Sequence, residues 1–327
     1  MERMTLVATC DKDPEKARKE LAKHKLDTTP VYTDLREMLS KEQVDIAHIC
    51  TPSGDHMTPA ITAMEMGKNV ICEKPMEIQL DRIDRMIETS KKHNVRLAGI
   101  FQNRWNRANA VLKQAADEKR FGKLSYAGCY TPWYRTDQYY RDGGWRGTWK
   151  WDGGGAIMNQ SVHAIDLLQW IAGPVKTVSA YASSRVHPEI EVEDTLACAV
   201  QFENGAHGVI MGSTGMYPGI EVRMEIGGAD GTAVSEGGLK HFKFREPKPE
   251  DAQVLTELAP GAAKTAPSGM NVEVGLELHF QNITAILDAW ERGEDAPTSG
   301  PEARKAVAII LAMYESARNG GVPVAVK

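Results

Sequence analysis

The sequence predicts an α/β fold in two parts: a parallel, doubly wound sheet over residues 1–103, then an α+β region over residues 104–327 built on a large, mostly antiparallel sheet. Three observations predict it. Between residues 5 and 101, short apolar runs alternate with amphipathic ones, the pattern of βα units whose strands lie parallel. From Lys123 the alternation gives way to successive strand-like runs separated by turn residues, the pattern of an antiparallel sheet. Within the second part a glycine triplet, residues 153–155, leads into an apolar helical run.

In chain order, TLVATC (residues 5–10) reads as a strand, and Asp13 caps a helix whose first residue is Pro14. That helix runs amphipathically over residues 15–24, with the basic run 16–25 as its solvated face. A second strand and helix follow, then the strand VDIAHIC (44–50), a helix from near His56, the strand NVIC (69–72), a helix over 80–93 and the strand RLAGIF (96–101). In the second part, residues 124–130, 175–184, 195–202, 207–214 and 220–228 read as strands. Residues 247–268 read as a loop excursion, rich in Pro, Ala and Glu. The helices over 278–290 and 301–318 read as structural, as do His279, Met224 and Met270.

With 42% hydrophobic and 25% charged residues, the composition is that of an ordinary soluble protein, and 327 residues are enough for two cores. A net charge of -5 offers nucleic acid no attractive field. Five cysteines without a CxxC pair predict buried thiols in a reducing cytoplasm. No apolar run is long enough for a membrane span, and no His, Cys or carboxylate cluster has metal-ligand spacing, so neither membrane nor metal is expected.

The residues that carry chemistry gather at strand ends. TPSGDH (51–56) follows the third strand and puts Thr51, Pro52 and His56 where a nucleotide lies on such a sheet. Glu73-Lys74-Pro75 follows the fourth, and Lys74 places a cation in the crevice. In GGGAIMNQSVHAID (153–166), Asn159 and His163 stand four apart on one helix face, which Asp166 and Trp170 continue, opposite an apolar face. Tyr130, Tyr134, Arg135, Tyr139, Tyr140 and Arg141 crowd the stretch before it, suited either to stacking on a sugar and holding a carboxylate or to a rigid interface loop.

One expected feature is displaced. Dinucleotide folds carry a GxGxxG turn after the first strand and an acidic residue about 20 positions later. Asp11 fits the acidic role, and counting back from it puts the glycine turn before residue 1. The expectation is therefore a chain lacking its first strand and helix, with Met1 an internal methionine. In the strand order 3-2-1-4-5-6 the missing strand is central, so unpaired edges and weak cofactor binding or misfolding are expected.

CDKDPEKA, CTPSGDH, the run to EKP at residues 67–75, Gln102-Asn103-Arg104, GGWRGTW, GGGAIMNQSVH, VEDT (192–195), FENGAHG (202–208) and GPEARKAV together resemble the glucose-fructose oxidoreductase / inositol dehydrogenase / rhizopine-catabolism (Gfo/Idh/MocA) family along almost the whole chain. The resemblance implies a Rossmann-type nucleotide domain and an NAD cofactor, with NADP as the alternative. It implies that Lys74 and His163 are the catalytic pair, and that Asn159 stands where the family usually has aspartate, orienting a hydroxyl rather than taking its proton. Ser161 stands where glycine is common. Implied cofactor contacts are Asp11, Thr51, Pro52, His56, Glu73, Lys74, Gln102, Trp145 and Arg146, and implied substrate contacts are Lys74, Arg104, Tyr140, Asn159 and His163. Asp11 favours NAD over NADP, because a carboxylate bonds a ribose 2′-hydroxyl and repels a 2′-phosphate; the neighbouring Lys12 works against this. The implied activity is NAD-dependent hydride transfer at a secondary hydroxyl of a sugar, polyol or sugar derivative. In it His163 accepts the hydroxyl proton and Lys74 stabilises the alkoxide. The alternatives are a glycosidase or lyase that oxidises its sugar transiently, and a redox-silent sugar-nucleotide regulator. A homo-oligomer assembled through the second-domain sheet is also implied.

Overall fold

The computed structural model describes residues 3–261 and 276–327. The first part contains β1 (Thr9–Cys10), α1 (Pro14–Lys23), β2 (Val31–Tyr32), α2 (Leu35–Lys41), β3 (Ile46–Ile49), α3 (Met57–Glu65), β4 (Asn69–Cys72), α4 (Leu80–Lys92) and β5 (Leu97–Gly99). The Asp13 side chain accepts from the Glu15 and Lys16 N–H groups, capping α1 ahead of Pro14 as its residue types predict. All the strand pairs here are parallel, in two separate sheets: β1 with β2, and β3-β4-β5. The run at 5–10 is thus corrected to two residues of strand.

The second part continues with α5 (Arg107–Asp117), β6 (Leu124–Pro132), α6 (Asp137–Gly143), a π-helical turn (Ala156–Gln160), α7 (Val162–Ala172), β7 (Val175–Ser183), β8 (Thr195–Phe202), β9 (His207–Ser213), β10 (Arg223–Gly228), β11 (Gly231–Glu236), β12 (Leu239–Phe244), α8 (Asp251–Glu257), α9 (Glu277–Glu291), α10 (Gly300–Arg318) and β13 (Val324–Ala325). One eight-stranded sheet runs β12-β11-β10-β6-β9-β8-β7-β13. It is antiparallel except where β6 and β9 lie parallel. On β8, Leu196, Cys198, Val200 and Phe202 are buried while Ala197 and Ala199 are exposed, the period-two pattern of a sheet covered on one face. The expected loop excursion at 247–268 contains α8, whose Asp251 is held by Arg120, so that reading is corrected in part. Its last residues, and Met270, lie outside the described residues.

Helices α7 and α10 pack on the buried face of the large sheet, and α10 also reaches β5 and α4. Helix α9 covers the small sheet, with Ile283 and Ile286 against Ile71, Ala98 and Ile100. Of the thiols expected to be buried, Cys72, Cys129 and Cys198 are, but Cys50 is exposed at the end of β3. No helix among the described residues is long and apolar enough to cross a membrane.

Candidate active site

The chain leaves β4 at Cys72, and Glu73-Lys74-Pro75 turns away from the sheet toward the π-helical turn. The half-buried Lys74 ammonium donates to the Asn159 backbone carbonyl at 3.0 Å and to Asn159 Oδ1 at 3.5 Å. The Asn159 amide in turn donates from Nδ2 to Asp152 Oδ1 at 2.7 Å, and Asp152 Oδ2 accepts the Gly147 N–H at 2.9 Å. Strand end and glycine-led turn are thereby joined in one polar chain: Lys74, Asn159, Asp152.

Close approach builds this turn. Gly153 adopts φ +74° against Ile78, and Gly155 lies directly on Glu193. Glu193 is fully buried. Its Oε2 accepts the Gly155 N–H (3.0 Å), its Oε1 accepts the Ile157 N–H (2.9 Å) and the Tyr314 hydroxyl (2.9 Å), and its backbone carbonyl accepts the Ala156 N–H. These bonds satisfy donors that a buried helix start leaves unpaired. A Cβ at residue 155 would overlap the Glu193 carbonyl oxygen. Gly155→Ala is therefore expected to cost about 3 kcal/mol, the upper end for overpacking a rigid site, read as a lower denaturation midpoint at unchanged m-value.

The expected continuous helix is thus replaced by a π-helical turn, and His163 sits in the first turn of α7. Its imidazole packs edge-on against Phe101, ring centroids 5.9 Å apart, and its Nδ1 is buried without a hydrogen-bond partner among the described residues. Burial holds its pKa well below the ordinary value, with the Lys74 and His279 charges adding to the effect, so the ring is neutral at neutral pH. Burial also lowers the Lys74 pKa; Glu73 and Asp152 oppose this, while Arg135 and Arg146 reinforce it. Burial pushes Asp152 up to about 6. Asp152 and Glu193 hold this turn although the sequence marks neither as a site residue, Glu193 standing only as part of the VEDT segment. The only sequence signal for Asp152 was a carboxylate immediately before a glycine triplet.

The other predicted residues divide. Asp11 stands just past β1, one oxygen accepting the Asp13 N–H at 2.9 Å. Lys12 reaches Asp55 at 3.4 Å, which brings the end of β1 next to the turn after β3. In that turn Thr51 Oγ1 donates to the Asp55 carbonyl at 3.0 Å, and Pro52 precedes a single 3-10 turn. Gln102, just past β5, is buried, its Oε1 unpartnered among the described residues. Glu73 lies half-buried, 3.8 Å from His48. Arg146 stacks over Tyr139 (4.4 Å) and Trp145 (5.5 Å), and Arg135 over Trp133 (4.9 Å) and Tyr139 (5.3 Å).

Three expectations are corrected. His56 is 1% exposed and both ring nitrogens face backbone carbonyls, of Thr51 at 2.8 Å and Pro75 at 2.9 Å, so it braces the two strand-end turns instead of reaching a cofactor. Arg104 is buried in a bidentate ion pair with Asp166 (2.7 and 2.6 Å), its remaining nitrogen on the Pro297 carbonyl, which removes it from substrate. The same pair keeps Asp166 from extending the polar face of α7. Tyr140 is buried, its hydroxyl on Thr214 Oγ1 at 2.8 Å and its ring beside His187, so it supports the loop from beneath.

The groups present suit one part of a dinucleotide better than another. Asp11, just past β1, is a carboxylate of the kind that accepts from ribose hydroxyls, and Gln102 Oε1, buried without a partner among the described residues, offers an acceptor at the strand end nearest Phe101 and His163. Among the described residues no glycine-rich turn joins a parallel strand to a helix, and the amino end of α1 is filled by Asp13.

Comparison with known proteins finds relatives for both parts of the chain. Residues 1–101 match a model described as "Oxidoreductase family, NAD-binding Rossmann fold", and residues 110–234 match the "GFO/IDH/MocA C-terminal domain". The WlbA dehydrogenase of Bordetella pertussis, solved with NADH and UDP-GlcNAcA, superposes with a TM-score of 0.84 at 30% identity over 98% of this chain and 90% of that one. The WlbA dehydrogenase of Chromobacterium violaceum, with the same ligands, gives 0.84 at 33% identity over 98% and 88%. Myo-inositol 2-dehydrogenase of Thermotoga maritima is 30% identical over 64% of this chain and 61% of its own.

Proposed function

The chain belongs to the Gfo/Idh/MocA family of NAD-binding oxidoreductases, and from that premise we propose that it transfers a hydride between nicotinamide and a secondary hydroxyl of a sugar, polyol or sugar derivative. The observation that carries this reading is the Lys74 ammonium held on Asn159 at the end of β4, with the neutral His163 imidazole four residues further along the same segment and near enough for the Lys74 charge to help lower its pKa. Bound NAD would supply the hydride acceptor, with Asp11 on its ribose and Gln102 toward its carboxamide end. Oxidising an alcohol also releases a proton from oxygen, and a neutral imidazole has a lone pair ready for it. Lys74 stabilises negative charge developing on that oxygen. Asn159 holds Lys74 through its oxygens and cannot itself take a proton.

Two features favour an acidic or nucleotide-linked sugar as substrate. Arg135 and Arg146 are close enough to lower the Lys74 pKa, placing cationic charge beside the reacting position. The WlbA dehydrogenases were solved with UDP-GlcNAcA. Assays with NAD and either UDP-GlcNAcA or myo-inositol, following NADH absorbance, test both statements. Net NADH with UDP-GlcNAcA supports the acidic-sugar reading, and net NADH with myo-inositol alone supports only the broader one. Sugar conversion without net NADH returns the transient-oxidation alternative, and binding without conversion returns the regulator.

Lys12 turns toward Asp55, which leaves Asp11 to set the cofactor preference. kcat/KM with NAD is expected to exceed that with NADP about tenfold or more, the worth of one hydrogen bond to a charged group, and Asp11→Ala is expected to narrow the ratio. A ratio favouring NADP in the unaltered protein contradicts this. We assign the enzyme to the cytoplasm as a homo-oligomer. Supporting this are five cysteines free of disulfides and a stripe of Tyr181, Ala197 and Met211 on the uncovered face of the large sheet.

A further inference from the structure

Asp152 is a carboxylate that the fold alone does not require. It is 2% exposed, and both of its hydrogen bonds come from uncharged groups. Its contacts are one backbone N–H, from Gly147, and one side-chain amide, from Asn159. An asparagine would accept the Gly147 N–H equally well, whereas a buried carboxylate costs several kcal/mol of desolvation unless something uses its charge.

The geometry shows what uses it. An amide has one oxygen and one NH2 group, and their order depends on the partners available. The carboxylate of Asp152 can only accept, so the Asn159 NH2 group must face it at 2.7 Å, and Asn159 Oδ1 is then turned to the Lys74 ammonium. With the Asn159 main-chain carbonyl at 3.0 Å, Lys74 is held by two acceptors from one residue. We propose that Asp152 is the positioning residue of this site: its carboxylate fixes the orientation of Asn159 and supplies the counter-charge that keeps the Lys74 ammonium in place. The negative charge sits one amide away from the lysine instead of touching it. Lys74 thereby stays available to a substrate oxygen, which a direct ion pair would displace.

The charged groups that bear on Lys74 are Glu73 and Asp152, which favour its protonated form, and Arg135 and Arg146, which oppose it; its own charge lowers the His163 pKa. Those that bear on Asp152 are Lys74 and Arg146, both favouring its ionised form against burial. Removing Asp152 leaves Glu73 alone against two arginines and burial, so the Lys74 midpoint must fall.

This inference deepens the proposed function, because Lys74 is the group assigned to the reacting oxygen, but its test does not depend on turnover. Competitive labelling of the intact protein with acetic anhydride across a pH series, with Lys74 followed by peptide mass spectrometry, reads the ionisation of that lysine directly. D152N is expected to lower the Lys74 midpoint by about one unit or more, the usual effect of one nearby opposite charge. D152N/N159D transposes carboxylate and amide at unchanged net charge and is expected to restore the midpoint or raise it. An unchanged midpoint in D152N folded as the unaltered protein overturns the proposal, and so does a lowered midpoint in the transposed pair, which remains informative if D152N does not fold. NADH formation assayed in parallel reports separately on the oxidoreductase reading. Loss of that reading with the labelling shifts intact leaves Asp152 as the positioning residue of a binding site.

Discussion

His163→Ala is expected to lower turnover by about 10²- to 10⁴-fold, the usual worth of a positioned general base, while NADH affinity measured by fluorescence titration stays within a few-fold. The expectation follows from the state of the ring. Buried and held well below its ordinary pKa, the imidazole is unprotonated throughout the neutral range. Its Nδ1 makes no bond that the fold needs. The alanine loses the edge contact with Phe101, whose own N–H is held by Asn282 Oδ1 at 2.8 Å. Because the group is already neutral, turnover in the unaltered enzyme is not expected to fall between pH 8 and pH 6 through protonation of His163. Turnover retained in the alanine variant would remove His163 from the reaction.

Asp166→Ala is expected to destabilise the protein by about 3–5 kcal/mol, the range for leaving one partner of a buried ion pair without the other. Arg104 and Asp166 have side chains only 3% and 1% exposed, and the arginine also stacks on Trp170 with its carbon 5.2 Å from the ring centre. Water cannot replace the carboxylate at such a site. Denaturant unfolding measures the loss. Removing both charges with Arg104→Met and Asp166→Leu is expected to recover most of it, since well-packed apolar pairs substitute for buried ion pairs at little cost. A single variant within 1 kcal/mol of the unaltered protein would mean that the pair is wetter than its geometry indicates.

The strands at 69–72 and 195–202 are legible residue for residue in the sequence, because both are interior strands and carry the apolar pattern their burial demands. The run at 5–10 shows the limit of that reading. Its composition is equally β-rich, but a strand extends only as far as its partner, and β2 pairs with two residues. The strand-end groups, Lys74 above all, are legible because a βα unit delivers the residue after its strand to one edge of the sheet. The π-helical turn is not, since it is set by Glu193 across 36 to 38 positions of chain. The role of Arg104 is hidden for the same reason: its partner lies 62 residues away, and nothing local distinguishes an arginine that will meet a carboxylate from one that will meet a ligand. Asp152 escapes because seven residues of glycine-led chain must fold back before it meets Asn159.

Helix α10 packs against α4 and β5 as well as α7 and β7, with Ala303, Ala306, Val307, Ile310 and Met313 buried along its length. At about 1.5 Å per residue its nineteen residues form a beam of roughly 28 Å. A beam gripped at both ends forbids hinge bending between the parts it joins unless it breaks or slides out of its apolar seat.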